Sequence, residues 1–389
     1  MHAPTFDGRT ALAFLLAFAV GCAGDPKPAA ETAANPAGTP AGGAPAQVAP
    51  FKVGIMTGTV SQGEDEYRGG QAMKAKYGDR VIHVTYPDNF MTEQETTVAQ
   101  VMSMASDPEV KAIIIAQGVP GSIAAMRKVR DQRPEMMFIL DNPHEDPSQV
   151  SQYANLCIQS DDLKRGDTII ELANKMGAKT FVHYSFSRHM SQELLSRRVA
   201  IMQERCKALG MEFVSDSAPD PMSEQGLPGA QRYIIEDVPK KIARYGKDTA
   251  FFATNCGMQE PLIRTVMMNG GILPEQCCPS PTHGYPGALG IAISAEDAGD
   301  MVKIRQAISA EVAKHNEQGR MATWPVSIGM VGIAASTELA MQAIRGETKL
   351  NDIAAVEREL EKAAGVNVGL APYPNTESYF LVILDSVIF

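Results

Sequence analysis

Short polar residues recur directly after apolar runs, and their types suit reversible binding better than bond making. The sets are Thr57, Gly58, Thr59 and Ser61; Gln117 and Gly118; Asp141 and Asn142; Tyr184, Ser185, Arg188 and His189; and Thr254, Asn255 and Gly257. His283 and Tyr285 stand in a later Pro-rich stretch. Hydroxyls, amides, one carboxylate and one guanidinium fit a small zwitterionic or hydroxylated solute rather than an apolar one. Each set also has a plainer reading. Asp141-Asn142 before Pro143 suits an Asx turn, Ser191 suits a helix cap, and Arg188 and His189 suit a solvated face. The thiols offer a second chemistry. Cys157, Cys206, Cys256, Cys277 and Cys278 follow Cys22, and a disulfide from Cys256 to Cys277 or Cys278 is permitted by spacing without being required.

These residues need a scaffold, and the periodicity supplies one. Phe51–Thr57, Val81–Tyr86, Ala112–Ala116 and Met136–Leu140 read as strands, with helices over Glu64–Tyr77, Gln94–Ala105 and Gly121–Arg130 between and after them. On the second of these helices Val98, Val101, Met102 and Ala105 share a face. Continuous apolar strands alternating with amphipathic helices predict a parallel sheet covered on both faces. The pattern repeats: strands at Thr180–Tyr184, Met211–Ser215 and Ala250–Thr254, helices at Ser191–Leu209 and Pro261–Asn269. Leu195, Val199, Met202, Cys206 and Leu209 mark the core face of Ser191–Leu209, and a helix from Pro228 is expected to kink or end at Pro239.

A helix over Asp161–Met176 is expected to pass from one half to the other. Gly270–Gly290 is expected to be mostly loop, followed by a long helix over Ala295–Gln318, a brief extended piece at Met321–Thr323, helices from Ile328 to Arg345 and over Asp352–Ala364, and a closing strand at Tyr379–Phe389. The fold class is therefore α/β, two doubly wound parallel-sheet lobes facing across a cleft. His83 and His183 fall inside strands as satisfied histidines, and Trp324 beside Pro325 suits packing at a hinge.

Length and charge narrow the function. The chain has 389 residues, enough for about two domains. Its formal net charge of −10, without a basic block, argues against nucleic acid, where phosphate neutralisation supplies most affinity. At the start, Arg9 precedes the apolar run Ala11–Val20 and then Gly21-Cys22. That run is far short of the roughly 20 residues that span a bilayer, and it reads as an export signal. Residues 23–50 are dominated by Ala, Pro and Gly and predict a tether of at most about 85 Å if fully extended in polyproline II form.

The Cys directly after a small residue resembles a bacterial lipoprotein signal, which implies cleavage before Cys22 and a diacylglyceryl anchor on its thiol. Such chains hold a protein durably when two or three are buried. With the two α/β halves, the chain resembles the type I periplasmic solute-binding proteins of the ribose and basic-membrane-lipoprotein types. The residues that carry this are Val53–Gly58, Ala112–Gly118 and the segment Ala322–Thr348, over about 51–348. More narrowly, Thr323-Trp324-Pro325 and the ending Tyr379–Asp385 resemble a domain-of-unknown-function group of bacterial envelope lipoproteins with this fold. The resemblance implies capture of a small polar solute in the interlobe cleft and delivery to an ABC permease in the inner membrane, at the periplasm or cell exterior, without a cofactor or metal.

The expected divisions are a signal peptide over 1–21 and a tether over 22–50. Lobe 1 is expected over 51–160 plus about 324–345 and lobe 2 over 161–323, with 346–389 completing both. Two alternatives remain open. The fold also serves ligand-sensing receptor lobes. Cofactor-independent racemases set two opposed thiols on two such lobes, but the position matching Cys256 in the first half is Gln117-Gly118, without a thiol.

Overall fold

Apolar runs that alternate with amphipathic helices become strands covered on both faces, and the chain builds two such sheets. The computed structural model describes residues 49–294 and 297–389. The expected signal over 1–21, the lipid-bearing Cys22 and the tether up to residue 48 lie outside them. Among the described residues no helix is long and apolar enough to cross a membrane.

The first sheet contains β1 (Lys52–Thr57), β2 (Val81–Thr85), β3 (Val110–Ala116), β4 (Met137–Asp141) and β5 (Leu156–Ser160). The second contains β6 (Thr180–Ser185), β7 (Glu212–Ser217) and β8 (Thr249–Ala253). Four late strands follow: β9 (Ala322–Thr323), β10 (Gly369–Pro372), β11 (Tyr379–Ile383) and β12 (Val387–Ile388). The first sheet runs β10-β11-β5-β4-β3-β1-β2, parallel except for the β10–β11 hairpin. The second runs β7-β6-β8, all parallel, with β9 and β12 paired antiparallel beside it. The fold is the expected two-lobed, doubly wound α/β type with a cleft between lobes.

Alternation within the strands assigns the two cores of the first lobe. Ile55, Ile114, Ile139 and Ile158 pack under the Ile328–Ile344 and Ile353–Ala364 helices with Ile333, Leu339 and Val356. Met56, Ile113, Ile115, Phe138 and Leu140 face the opposite way, onto Val98, Val101, Met104, Met126 and Val129. The chain crosses between lobes three times: after β5, after β9 and between β11 and β12.

Several expectations are corrected. The closing strand is two strands in two lobes, β11 beside β5 and β12 beside β9, parted at the last crossing. β5 and β10 carry no sequence expectation. The helix expected over 295–318 spans only Met301–Lys314, because Asp300 caps it by accepting from the backbone N–H of Val302 and Lys303. Pro239 does not end its helix, which runs Gly226–Tyr245. The carbonyl left unpaired by Pro239 belongs to Ile235, an exposed residue, so water can satisfy it. On the Glu193–Ala208 helix the buried stripe includes Leu194 and Arg198 where Leu195 and Val199 were expected, and on the Gln94–Ser106 helix Met104 replaces Met102.

Candidate functional site

In a doubly wound sheet the crevice opens beyond the carboxyl ends of the strands, where crossovers leave in opposite directions. Here those points fall between β1 and β3 in one lobe and between β6 and β8 in the other. The two edges face one another. Thr282 Oγ1 of lobe 2 donates to Asp65 Oδ1 of lobe 1 at 2.6 Å, so the cleft is closed in this structure.

On the lobe 1 side, Tyr86 donates to Gln117 Oε1 at 2.9 Å, and Gln117 Nε2 reaches Glu66 Oε1 at 3.4 Å. Gln117 adopts a φ of 61°, a left-handed conformation that aims its side chain inward from the end of β3. Asp141 closes β4 with its side chain fully buried, and its Oδ2 has no hydrogen-bond partner among the described residues. Missing side chains make room for the carboxylates. A Cβ on Gly332 would stand 2.5 Å from Asp141 Oδ1, and one on Gly329 2.9 Å from Glu66 Cδ. Burial pushes Glu66 up to about 8, helped by the charges of Cys278 and Asp65. Burial, Glu66 and Cys278 raise Asp141 well above the carboxylate range. Burial lowers His144, behind Gln117, to about 4.

On the lobe 2 side, Ser185 and Thr254 share a hydrogen bond of 2.9 Å across the switch point, and His189 Nδ1 lies 3.1 Å from Thr254 Oγ1. Burial and the neighbouring Arg188 lower His189 to about 3, which keeps it neutral. Beside them a cysteine cluster forms. Cys256 Sγ lies 3.3 Å from Cys277 Sγ and 3.4 Å from Cys278 Sγ, and Cys277 Sγ lies 3.8 Å from His283 Nε2. All five cysteines in the described residues are free thiols, so the permitted Cys256 disulfide is not formed.

The sequence-predicted residues divide by what they already bond. Thr59 Oγ1 meets Ser61 Oγ at 2.8 Å and donates to Asp88 at 2.5 Å at the cleft mouth, and Gly58 packs under the Tyr86 hydroxyl. Thr57 is buried with its hydroxyl 2.9 Å from His83 Nε2. Gly118 packs beneath Pro143, Asn142 holds the Ser160 N–H, and Asn255 holds the Gly257 N–H as a cap. Arg188 is occupied by Asp220 through two bonds of 2.9 and 2.8 Å. Tyr184 and Tyr285 point into the lobe 2 core instead, donating to Asp237 and to the Ala322 carbonyl. Sequence reasoning missed Asp65, Glu66, Tyr86 and His144. Strand ends guided it, and Asp65 and Glu66 sit in the first turns of a helix that reads as an exposed Glu-Asp-Glu run.

The cysteine loop is held from behind by a buried ionic network. Arg165 Nε donates to Glu275 Oε1 at 2.7 Å, Nη1 to Asp162 at 3.0 Å and Nη2 to the Gln276 carbonyl at 2.8 Å, while Arg198 also pairs with Asp162. Gln276 Nε2 in turn donates to the carbonyls of Ser280 and His283. Trp324 lies fully buried under the Arg165 guanidinium, at a crossing between lobes. A wide surface hollow of about 1070 Å³ lined by Ser148, Gln152, Glu193 and Tyr373 opens beside Met137 and Asn155, at the amino edge of the first sheet, and forms no part of the cleft.

A family model described as "Protein of unknown function (DUF3798)" matches residues 51–322. An uncharacterised protein of Treponema pallidum (strain Nichols) is 35% identical over 178 residues, 44% of this chain and 80% of that protein. A crystal structure from Clostridium difficile 630, whose name provisionally makes it a transcriptional regulator, is similar with a TM-score of 0.73. It is 26% identical and the match covers 87% of this chain and 99% of that one. An ABC transporter periplasmic solute-binding protein of Actinobacillus succinogenes 130z with bound D-allose matches at TM-score 0.52 and 12% identity, over 87% and 97% of the two chains.

Proposed function

The chain belongs to the DUF3798 family, and from that premise we propose that it is an exported solute-binding receptor. Lobe 1 (51–160 with about 324–345) and lobe 2 (161–323) close on a small polar ligand, with 346–389 completing the lobes. The receptor hands the ligand to an ABC permease and is tethered to the membrane by lipid on Cys22. The observation that carries this reading is the closed cleft itself. Three crossings act as a hinge, and both strand-end edges present polar groups, among them Gln117, Asp141, Ser185 and Thr254, to a space that closure removes from water. Binding rather than catalysis is favoured by the thiols. Cys256 meets two thiols of its own lobe and, among the described residues, faces none from the other, so opposed-thiol proton exchange has no second partner there.

The test is a thermal-shift screen with sugars, nucleosides, amino acids and vitamins, beside mass spectrometry of whatever co-purifies. A ligand at 100 times its Kd is expected to add about 2.7 kcal/mol to the folded state. No rise in Tm with any compound or metal ion, or turnover of a substrate by the purified protein, would overturn the receptor reading. For the anchor, Cys22→Ser is expected to move the protein to the soluble fraction, and continued membrane retention would refute lipidation there.

A further inference from the structure

We propose that Cys256, Cys277, Cys278 and His283 form a binding site in the cleft for a thiophilic d10 metal ion, Zn2+ or Cu+. The inference rests on the receptor reading in one respect: it names the class of ligand on which that cleft closes. Three thiols and an imidazole are a donor set that selects soft or borderline ions and leaves hard cations such as Mg2+ or Ca2+ unfavoured.

The geometry gathers these donors from two separate segments. Cys256 follows β8, while Cys277, Cys278 and His283 share one loop. Their sulfur separations of 3.3 and 3.4 Å exceed a covalent S–S bond of about 2.05 Å. Tetrahedral Zn–S bonds of about 2.3 Å put the sulfurs about 3.8 Å apart, so the thiols need to spread only by a few tenths of an ångström. The His283 nitrogen is 3.8 Å from Cys277 Sγ, and Cys256, Cys277 and His283 can offer ligand atoms that all lie within 4.8 Å of one another. Cys278 is exposed, which gives an ion a route in. The loop is also built to hold its shape. Arg165 grips the Gln276 carbonyl, Thr323 bonds the Gln276 side chain, and Gln276 ties Ser280 to His283.

A second observation is independent of the thiols. The side of lobe 1 that the cysteine loop touches through Thr282 and Asp65 carries the buried Glu66 and Asp141, and among the described residues Asp141 Oδ2 has no hydrogen-bond partner. Positive groups nearby are already engaged: Arg165 with Asp162 and Glu275, Arg198 with Asp162, and Arg188 with Asp220. Among the described residues the closed cleft therefore sets acids against thiols without an unengaged side-chain cation between them, an arrangement that a bound metal cation would complete. The loop's Thr282 also bonds Asp65 across the cleft, so ordering the loop on an ion favours closure. Binding is accompanied by release of the thiol protons to solvent, and affinity falls as pH is lowered.

The experiment uses the full chain, reduced and stripped of metal without oxygen, and titrated with Co2+ as a spectroscopic stand-in for Zn2+. The expected result is one Co2+ per chain, with thiolate-to-Co2+ charge transfer in the near ultraviolet and tetrahedral d–d bands, both abolished by added Zn2+. A parallel titration uses Cu+. Cys278→Ser is expected to lower the charge-transfer band by about a third, and His283→Gln to leave that band while weakening affinity at least about tenfold. Cys206→Ala, in the core of lobe 2, serves as the control that leaves both unchanged. No binding of Co2+, Zn2+ or Cu+ by reduced wild-type protein overturns the proposal. So does native protein in which Cys256 is wholly disulfide-bonded and the re-reduced thiols take no metal. The receptor reading fails separately. Metal binding that leaves the small-angle scattering radius unchanged, or an organic solute that closes the lobes without metal, sinks the claim that the metal is the ligand on which the cleft closes, whereas failure of both metal and every organic solute to close the lobes sinks the receptor reading.

Discussion

Glu275→Gln is expected to destabilise the folded protein by about 3–5 kcal/mol, measured as a lowered urea midpoint at unchanged slope. Glu275 and Arg165 are each 1% exposed, and with Asp162 and Arg198 they form a buried set of two anions and two cations. Burial by itself would lower Arg165, but the charges of Glu275 and Asp162 outweigh it and hold the guanidinium above its ordinary range. The amide keeps shape and removes charge, so the buried set carries one uncompensated guanidinium. The Trp324 ring beneath it and the Gln276 carbonyl beside it supply only partial compensation. Replacing both partners, as Arg165→Met with Glu275→Leu, is expected to recover most of the loss, because the desolvation of two charges disappears with their attraction. A loss below about 1 kcal/mol in the single variant would mean that water reaches the pair and that the network does not lock the cysteine loop.

How far the sequence discloses this molecule depends on whether each signal is local. β3 is legible because Ile113, Ile114 and Ile115 are buried on both faces of a central strand, and only such a strand needs a continuous apolar run. β5 is not, since Leu156–Ser160 includes Gln159 and Ser160 and lies after a Pro- and Ser-bearing turn. Its place is set by β4 on one side and by β11, far along the chain, on the other. Likewise Tyr379–Phe389 reads as one apolar strand although Asp385-Ser386 interrupts it, because a polar pair within a strand does not by itself distinguish a solvent-facing position from a lobe crossing. The strand ends were found from alternation, yet which of them stay uncommitted was not. Tyr184 and Arg188 look equally available in sequence, and only packing gives one to Asp237 and the other to Asp220. The cysteines were visible as a possible bridge. Their convergence with His283, and their opposition to Glu66 and Asp141, arises only when both lobes fold and meet.

Glu66→Gln is expected to flatten the pH dependence of stability between about pH 4.5 and 8 and to keep the cleft closed at alkaline pH. Glu66 rises from an ordinary 4.5 to about 8 in the folded chain, through burial first and then the charges of Cys278 and Asp65. In that window the folded protein retains a proton that the unfolded chain releases. Stability is therefore greatest below the unfolded value and falls as pH rises, at up to about 1.4 kcal/mol per pH unit for one proton. Summed over the window, the cost is on the order of a few kcal/mol, comparable with the whole stability of many domains. The protein has a way to avoid it, because opening the cleft returns Glu66 to water. The groups facing it from the surrounding elements are Asp65, Tyr86, Gln117, Asp141 and Cys278. None is a cation, so none relieves the ionised form. The wild type is thus expected to expand in small-angle scattering between pH 6 and 9 while Glu66→Gln does not, and unfolding of the variant is expected to show a shallower slope. Asp141, raised by the same burial, leaves a remainder. An unchanged slope in Glu66→Gln would show that Glu66 is hydrated in the closed protein and that the acidic wall of the cleft is not sealed from solvent.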